Sequence, residues 1–293
     1  MTACEDFFEL VCEAHICTAA MQVFQMSSLD DTPSTAHFPE GCTQLNPKQR
    51  WNVLQLAIMD IIEQFVDIDY PSSANKDDDH VRAYGKEVLS LGLLFMEFKD
   101  AIREGDGERI IRCWRYFLPL FKCADRKNYS VEAFNLLFEY EYAMTERMKQ
   151  QLVWERTINV RGKPGRNVPM DLHMEHINKH CKQSMGNLGS NISEKSVSRI
   201  GRCIGELMQV THQFDAVNKV REDSGHHPTR TVAQDIRKLL AQLHTETKVF
   251  DYVRGRKHST FKKMQVNMTR GLKVTKLKEW MDQQVHKYKV FYI

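Results

Sequence analysis

The 293-residue sequence has no long apolar run, no CxxC pair and only 8 prolines. No stretch approaches the ~18 uncharged apolar residues that a membrane-spanning helix needs, so no membrane partner is expected. The first ten residues, MTACEDFFEL, are acidic and lack the basic-then-apolar order of a secretory leader. Without CxxC there is neither a zinc ribbon nor a thioredoxin-type redox pair. Eight cysteines are scattered through apolar, helix-like runs, which fits free, buried thiols in a reducing compartment. An intracellular protein, nuclear or cytoplasmic and not secreted, is therefore expected. With 42% apolar residues and 10% aromatics, disordered and fibrous classes are excluded.

Catalytic signatures are equally scarce. No serine sits in a G-x-S-x-G elbow, no GK[ST] follows a glycine-rich loop, and no H-E-x-x-H occurs. No cysteine has a basic or helix-start setting that would lower its pKa. On this ground the sequence leans away from an enzyme.

What the sequence does contain is helix periodicity. Residues 5–26 place Phe7, Leu10, Val11, Ala14, Cys17, Met21 and Phe24 on one stripe. A helix over about 48–67 is predicted to bury Trp51, Leu54, Ile58, Ile61, Ile62 and Phe65, with FVDIDY at its end readable as a short strand. The acidic run SSANKDDD (72–79) is a linker, separating an N-terminal helical segment, 1–79, from a helical domain, 80–293. Further helices are predicted over 80–104, ending at Gly105-Asp106-Gly107, over 108–123, kinked or shortened by Pro119, and over 129–155. RGKPGRNVP (161–169) breaks the pattern. After it come helices from Pro169 to about Gly186, from Asn191 to about Arg221 opening N-I-S-E, from Thr231, and over 272–287. No strand series or internal repeat is present. The fold class is mainly α: a multi-helix globular array of about eight or nine helices with a basic C-terminal loop segment.

Charge is unevenly distributed along the chain. The overall net of +3 conceals 15 basic and 25 acidic residues in 1–150 against 26 basic and 13 acidic in 151–293. Such asymmetry points either to a polyanion partner or to one half docking on the other. The loop R-G-K-P-G-R-N (161–167) sets Arg161, Lys163 and Arg166 among glycines just before a helix, a weak phosphate clamp or a solvated loop. Between 254 and 271 the apolar rhythm stops, and Arg254, Arg256, Lys257, His258, Lys262, Lys263 and Arg270 mix with Tyr252 and Phe261. Cations with interleaved rings suit a nucleic-acid backbone.

The densest reactive cluster is DLHMEHINKHC (171–181). Met170, Met174, Ile177, Cys181 and Met185 share one helix face and are expected to point inward. Asp171, Glu175 and Asn178 line a second face, and His173, His176 and His180 a third. Carboxylates one turn apart can hold a divalent metal, and two His three apart can bind zinc with a further ligand. The structural alternative is a helix whose polar groups tie down the preceding loop. No metal site is assigned. Glu132 reads as the polar face of its helix.

These segments carry a resemblance. GDGERIIRCWRYFLPLFK (105–122), NYSVEA (128–133), WERTINVRGKPGRNVPMDLHMEHIN (154–178), NLGSN-x-SEKS (187–196) and GRKHSTF (255–261) occur in the order found in one family. The sequence resembles the domain-of-unknown-function family numbered sixty-five eighty-nine, over about residues 80–290. That family has no established activity and is transposon-associated in its multicopy spread. The resemblance marks Asp106, Arg109, Trp114, Tyr129, Glu132, Asn159, Gly162, Gly165, Asp171, His173, Glu175, His176 and Asn178 as family-typical, and every polar position of D-L-H-x-E-H-x-N is present.

Three readings fit this pattern. The first is a helical module derived from a mobile element that binds DNA or RNA through Arg161, Lys163, Arg166, Arg254, Arg256, Lys257, Lys262 and Lys263. The second is a remnant of a metal-dependent nuclease or transposase. It would use a divalent metal on Glu132, Asp171 and Glu175, with His173, His176 and Asn178 as further catalytic candidates. The third is a helical scaffold for a protein partner or self-association.

Overall fold

The computed structural model describes residues 2–34, 38, 44–66, 79–160, 162–186, 189, 192–218, 232–258 and 272–292. Among them ten α-helices account for nearly all regular structure, with one two-stranded ribbon, so the mainly α class holds. The helices are α1 Thr2–Val23, α2 Pro47–Ile61, α3 His80–Glu104, α4 Gly107–Cys123, α5 Lys127–Phe138, α6 Glu146–Glu155, α7 Met170–Gly186, α8 Glu194–Val217, α9 Val232–Leu240 and α10 Val274–Tyr292. The chain divides into two units. Unit 1 comprises Met1–Phe98, Arg112–Ala143 and Thr231–Ile293, and unit 2 comprises Lys99–Ile111 and Met144–Arg230.

Unit 1 draws its core from both ends of the sequence. Ala19 and Val23 of α1, Phe65, Val81 and Leu89 of α3, and Val249 and Phe250 form one buried cluster. Burial of such side chains contributes about 1.5–3 kcal/mol each. Gly92 lets α1 and α3 approach, because a Cβ there would stand 2.4 Å from Cys12 Sγ. A second cluster joins Leu118 of α4 to Ala133 and Phe134 of α5, with Trp280 and Met281 of α10 against it.

Several sequence expectations change. The helix expected over 129–155 is two helices: after Phe138 the chain widens into a π turn, Glu139–Ala143. It restarts at Glu146, where Thr145 accepts the Met148 N–H as an N-cap. The interruption shifts the phase of the apolar stripe, leaving Tyr142 80%, Met148 49% and Trp154 78% exposed. In α2, Trp51, Leu54 and Ile58 are exposed rather than buried, because packing reaches this helix chiefly at Ala57 and, in the following π turn, at Phe65. That π turn, Ile62–Val66, replaces the start of the FVDIDY strand; residues 67–70, and the linker residues 72–78, lie outside the described residues. Pro119 sits inside α4 without shortening it. The α8 cap is Ser193, which accepts the Ser196 N–H, while Asn191 and the expected start at Thr231 lie outside the described residues. The seven described cysteines stand outside any disulfide, but Cys4 and Cys203 are exposed rather than buried. Among the described residues no helix is long and apolar enough to cross a membrane.

Candidate functional site

In unit 2 the turn from α3 to α4 is fixed first. Gly105 takes φ +75°, the left-handed conformation that ends a helix. Asp106 then caps α4, its Oδ1 accepting the Arg109 N–H at 3.0 Å. Arg109 in turn bridges Asp100 at 2.8 Å. Gly107 meets α6 so closely that a Cβ would lie 2.0 Å from the Val153 carbonyl oxygen. These family-typical residues therefore build the scaffold.

A short antiparallel ribbon follows α6, with Thr157 opposite Pro169 and Ile158 opposite Val168. It separates the basic loop from α7, so the loop does not run straight into a helix start. Asn159 Nδ2 donates to the Lys163 carbonyl at 2.8 Å, and Gly162 and Gly165 take φ +64° and +65°. Asn167 clamps the loop's far end, donating from both N and Nδ2 to the Arg103 carbonyl at the end of α3. Lys163 and Arg166 are left exposed at the tip. Arg161 lies outside the described residues.

On α7, Asp171, Glu175, His176 and Asn178 are exposed, while His173 and His180 are half-buried. The Asp171 carboxylate accepts the Leu172 N–H and sits in the first turn, where the helix dipole favours it. The expected inward face is only partly covered: Met174 is 48% exposed, because α7 packs mainly on α8 and the ribbon. Burial pulls the Arg156 guanidinium below its ordinary range, opposed by the Asp171 charge. Arg156 Nε and Asn159 Oδ1 are shut off from solvent without a hydrogen-bond partner among the described residues. Glu132, on α5 of unit 1, is exposed. Among the described residues no group of three or more His, Cys, Asp or Glu is placed to hold a metal ion.

The expected C-terminal patch contains a different kind of site. Asp79 is the first described residue before α3, and its side chain is 1% exposed. Its Oδ1 accepts the N–H groups of Val81 and Arg82, and its Oδ2 accepts that of Val253. Arg256 closes a bidentate pair on it, Nε to Oδ1 and Nη2 to Oδ2, both 2.8 Å. The remaining donors reach the carbonyls of Thr247, Lys248 and Asp251. A guanidinium has five N–H groups, and all five are engaged. Burial alone would raise the Asp79 pKa, but hydrogen bonds from Arg256, Val253 and Arg82, with the Arg256 charge, hold it below its ordinary value. Arg256 is thus a structural clamp, whereas Arg254 and Lys257 beside it are exposed. Lys262 and Lys263 lie outside the described residues.

A model of the family of unknown function DUF6589 matches residues 2–227. The chain belongs to this family. The DUF6589 match begins well before residue 80, where the motif resemblance starts, and ends before GRKHSTF. No curated protein and no solved structure matches the chain.

Sequence reasoning missed two groups. The clamp was invisible because Asp79 and Arg256 are 177 positions apart. The cations Lys179 and Lys182 on α7, and Lys195, Arg199 and Arg202 on α8, are all exposed on unit 2. The spacing of Lys195, Arg199 and Arg202 at four and three residues was the available signal.

Proposed function

We propose that this DUF6589 chain is a helical nucleic-acid-binding module whose interface lies in its basic second half. The observation that carries the reading is the division between engaged and unengaged cations. Arg256, Arg237, Arg109 and Arg115 are held in ion pairs. Lys163, Arg166, Lys179, Lys182, Lys195, Arg199 and Arg202 of unit 2, and Arg254 and Lys257 of unit 1, are exposed. Each of these nine has no side-chain partner among the described residues. Cations without intramolecular partners suit phosphate neutralisation, which releases counterions and supplies most non-specific affinity. Lys262 and Lys263, outside the described residues, add two further cations to the basic second half by sequence. A mobile-element origin, implied by the resemblance, accords with such a partner.

The test is a salt titration of DNA and RNA binding by the full chain. Lys163→Glu with Arg166→Glu should flatten the plot of log affinity against log salt by about 1.4–1.8, some 0.7–0.9 per lost phosphate contact. No binding at about 50 mM salt, where phosphate contacts are strongest, would refute the proposal.

One observation supports a second reading, self-association. On α8, Cys203, Leu207, Val210, Phe214 and Val217 recur at alternating spacings of four and three, and the last four are 50–80% exposed. That spacing is the a/d pattern of a coiled-coil seam. Sedimentation of the chain and of Phe214→Asp distinguishes the readings: a dimer that the substitution dissolves supports the scaffold.

A further inference from the structure

The nucleic acid can be narrowed to a strand with unpaired bases, an inference that rests on the proposed nucleic-acid-binding function. Trp154 on α6 is 78% exposed, although indole is a large apolar group with much to gain from burial. Its helix neighbours do not explain it as a misplaced core residue. Gln150 and Gln151, one turn before it, are exposed, and Arg147, two turns before it, is exposed with no side-chain partner among the described residues. At 100° per residue Gln151 falls about 40° to one side of Arg147 and Trp154 about 20° to the other, so cation, amide and ring share a face about 60° wide. The acids of α6 are elsewhere: Glu146 is paired with Lys149 at 2.9 Å, and Glu155 lies about 100° round from Trp154. Arg147 and Trp154 are about 10 Å apart along the axis, near three stacked nucleotides at about 3.4 Å each. Beyond Trp154 the chain enters the ribbon, and Lys163 follows nine residues on.

We infer that Trp154 is a stacking platform for an unpaired base, with Arg147 and the loop cations holding the flanking phosphates. A ring on the exposed side of a helix can stack only on a base whose face is open. Duplex bases present their faces to each other, so the platform selects single strands. Arg147 on the same face favours a polyanion over an apolar protein partner, which would leave that charge desolvated and unpaired. Ring stacking is tolerant of base identity, so selection is by strandedness, not sequence.

The experiment uses the full chain with three labelled ligands, a 12-nucleotide oligo-dT, a 12-nucleotide oligo-U and a blunt 12-base-pair duplex, read by anisotropy. Trp154→Ala should weaken binding to both single strands by about 5- to 150-fold while leaving the salt slope unchanged, because no phosphate contact is removed. Trp154→Phe, which keeps a ring, should restore most of the affinity, and duplex binding should be unaffected by either. The two oligomers separate a DNA strand from an RNA strand. Equal binding by Trp154→Ala and the unaltered chain, or no preference over duplex, overturns this inference while leaving the Proposed function standing. Failure to bind any of the three overturns both. Since Trp154 is so exposed, circular dichroism of the variant should match that of the unaltered chain.

Discussion

Removing the Arg256 guanidinium should destabilise unit 1 far more than removing its neighbour Arg254. The Asp79 carboxylate is 1% exposed and the Arg256 side chain 18%. Breaking a buried ion pair by deleting one partner costs about 3–5 kcal/mol, because the remaining charge is left without its counterpart. Here three backbone N–H groups still reach Asp79, so Arg256→Ala is placed at the lower end, about 3 kcal/mol. Arg256→Lys keeps the charge but cannot reproduce the fork, and should cost about 1–2 kcal/mol. Arg254→Ala, an exposed surface change, should stay within about 0.5 kcal/mol. Urea denaturation followed by circular dichroism at pH 7 gives the differences. Hydrogen exchange should show faster opening at the Val81, Arg82 and Val253 amides, whose N–H groups meet the same carboxylate. The pH dependence adds a sign. Because the folded Asp79 pKa lies below the unfolded value of about 3.9, its contribution is present above that value and lost as pH falls through the folded pKa. Asp79→Asn should remove that acid-side loss. A cost below about 1 kcal/mol for Arg256→Ala would refute the clamp and return Arg256 to the surface cations.

Four further outcomes are expected. Gly107→Ala should destabilise unit 2 by about 1–3 kcal/mol or more in thermal melts, since the new methyl meets a backbone oxygen that cannot swing away. Gly165→Ala, where only Glu104 Oε1 lies nearby at 3.5 Å but φ is +65°, should cost about 1–2 kcal/mol. Asn167→Ala should lose about 1 kcal/mol by removing one of the two N–H groups that meet the Arg103 carbonyl, and proteolysis should then cut the 162–166 loop faster. In thiol titration at pH 8, Cys4 and Cys203 should react rapidly. Cys12, with a pKa pushed up to about 11 by burial and the Glu9 and Glu13 charges, should react only on unfolding.

The elements that sequence located best are those whose limits are set locally. Helix α3 runs over the anticipated residues 80–104, because its amphipathic stripe is continuous and Gly105 supplies the left-handed stop. Helix α7 likewise starts after Pro169 and ends at Gly186. Periodicity failed where the backbone changed its own period. The π turn at Glu139–Ala143 ends α5, and within the single helix expected over 129–155 Phe138 finishes half-buried and Trp154, on α6, almost bare. It failed again where a stripe had no partner, as at Trp51 and Leu54 of α2. For the candidate site, sequence identified the basic segments but could not separate Arg254 from Arg256. That distinction depends on a carboxylate delivered by the start of α3, a contact of long sequence separation.

The two interpretations of the charge asymmetry, a polyanion partner or one half docking on the other, are complementary. Unit 1 takes chain from both halves, and within it opposite charges from the two halves meet: Asp79 with Arg256 at 2.8 Å and Asp30 with Arg237 at 3.4 Å. The first is buried and the second exposed, so they differ in worth; an exposed pair contributes about 0–1 kcal/mol. Part of the basic excess is therefore answered inside the protein. The cations of unit 2 between Lys163 and Arg202 have no such answer among the described residues. If self-docking were the whole explanation, salt should weaken only exposed pairs such as Asp30 with Arg237, and nothing would be left for a polyanion to bind. If the unit 2 surface serves a nucleic acid, salt should weaken binding steeply while the melting temperature moves little, since the buried clamp is poorly screened. Measuring both salt dependences on one sample separates the contributions.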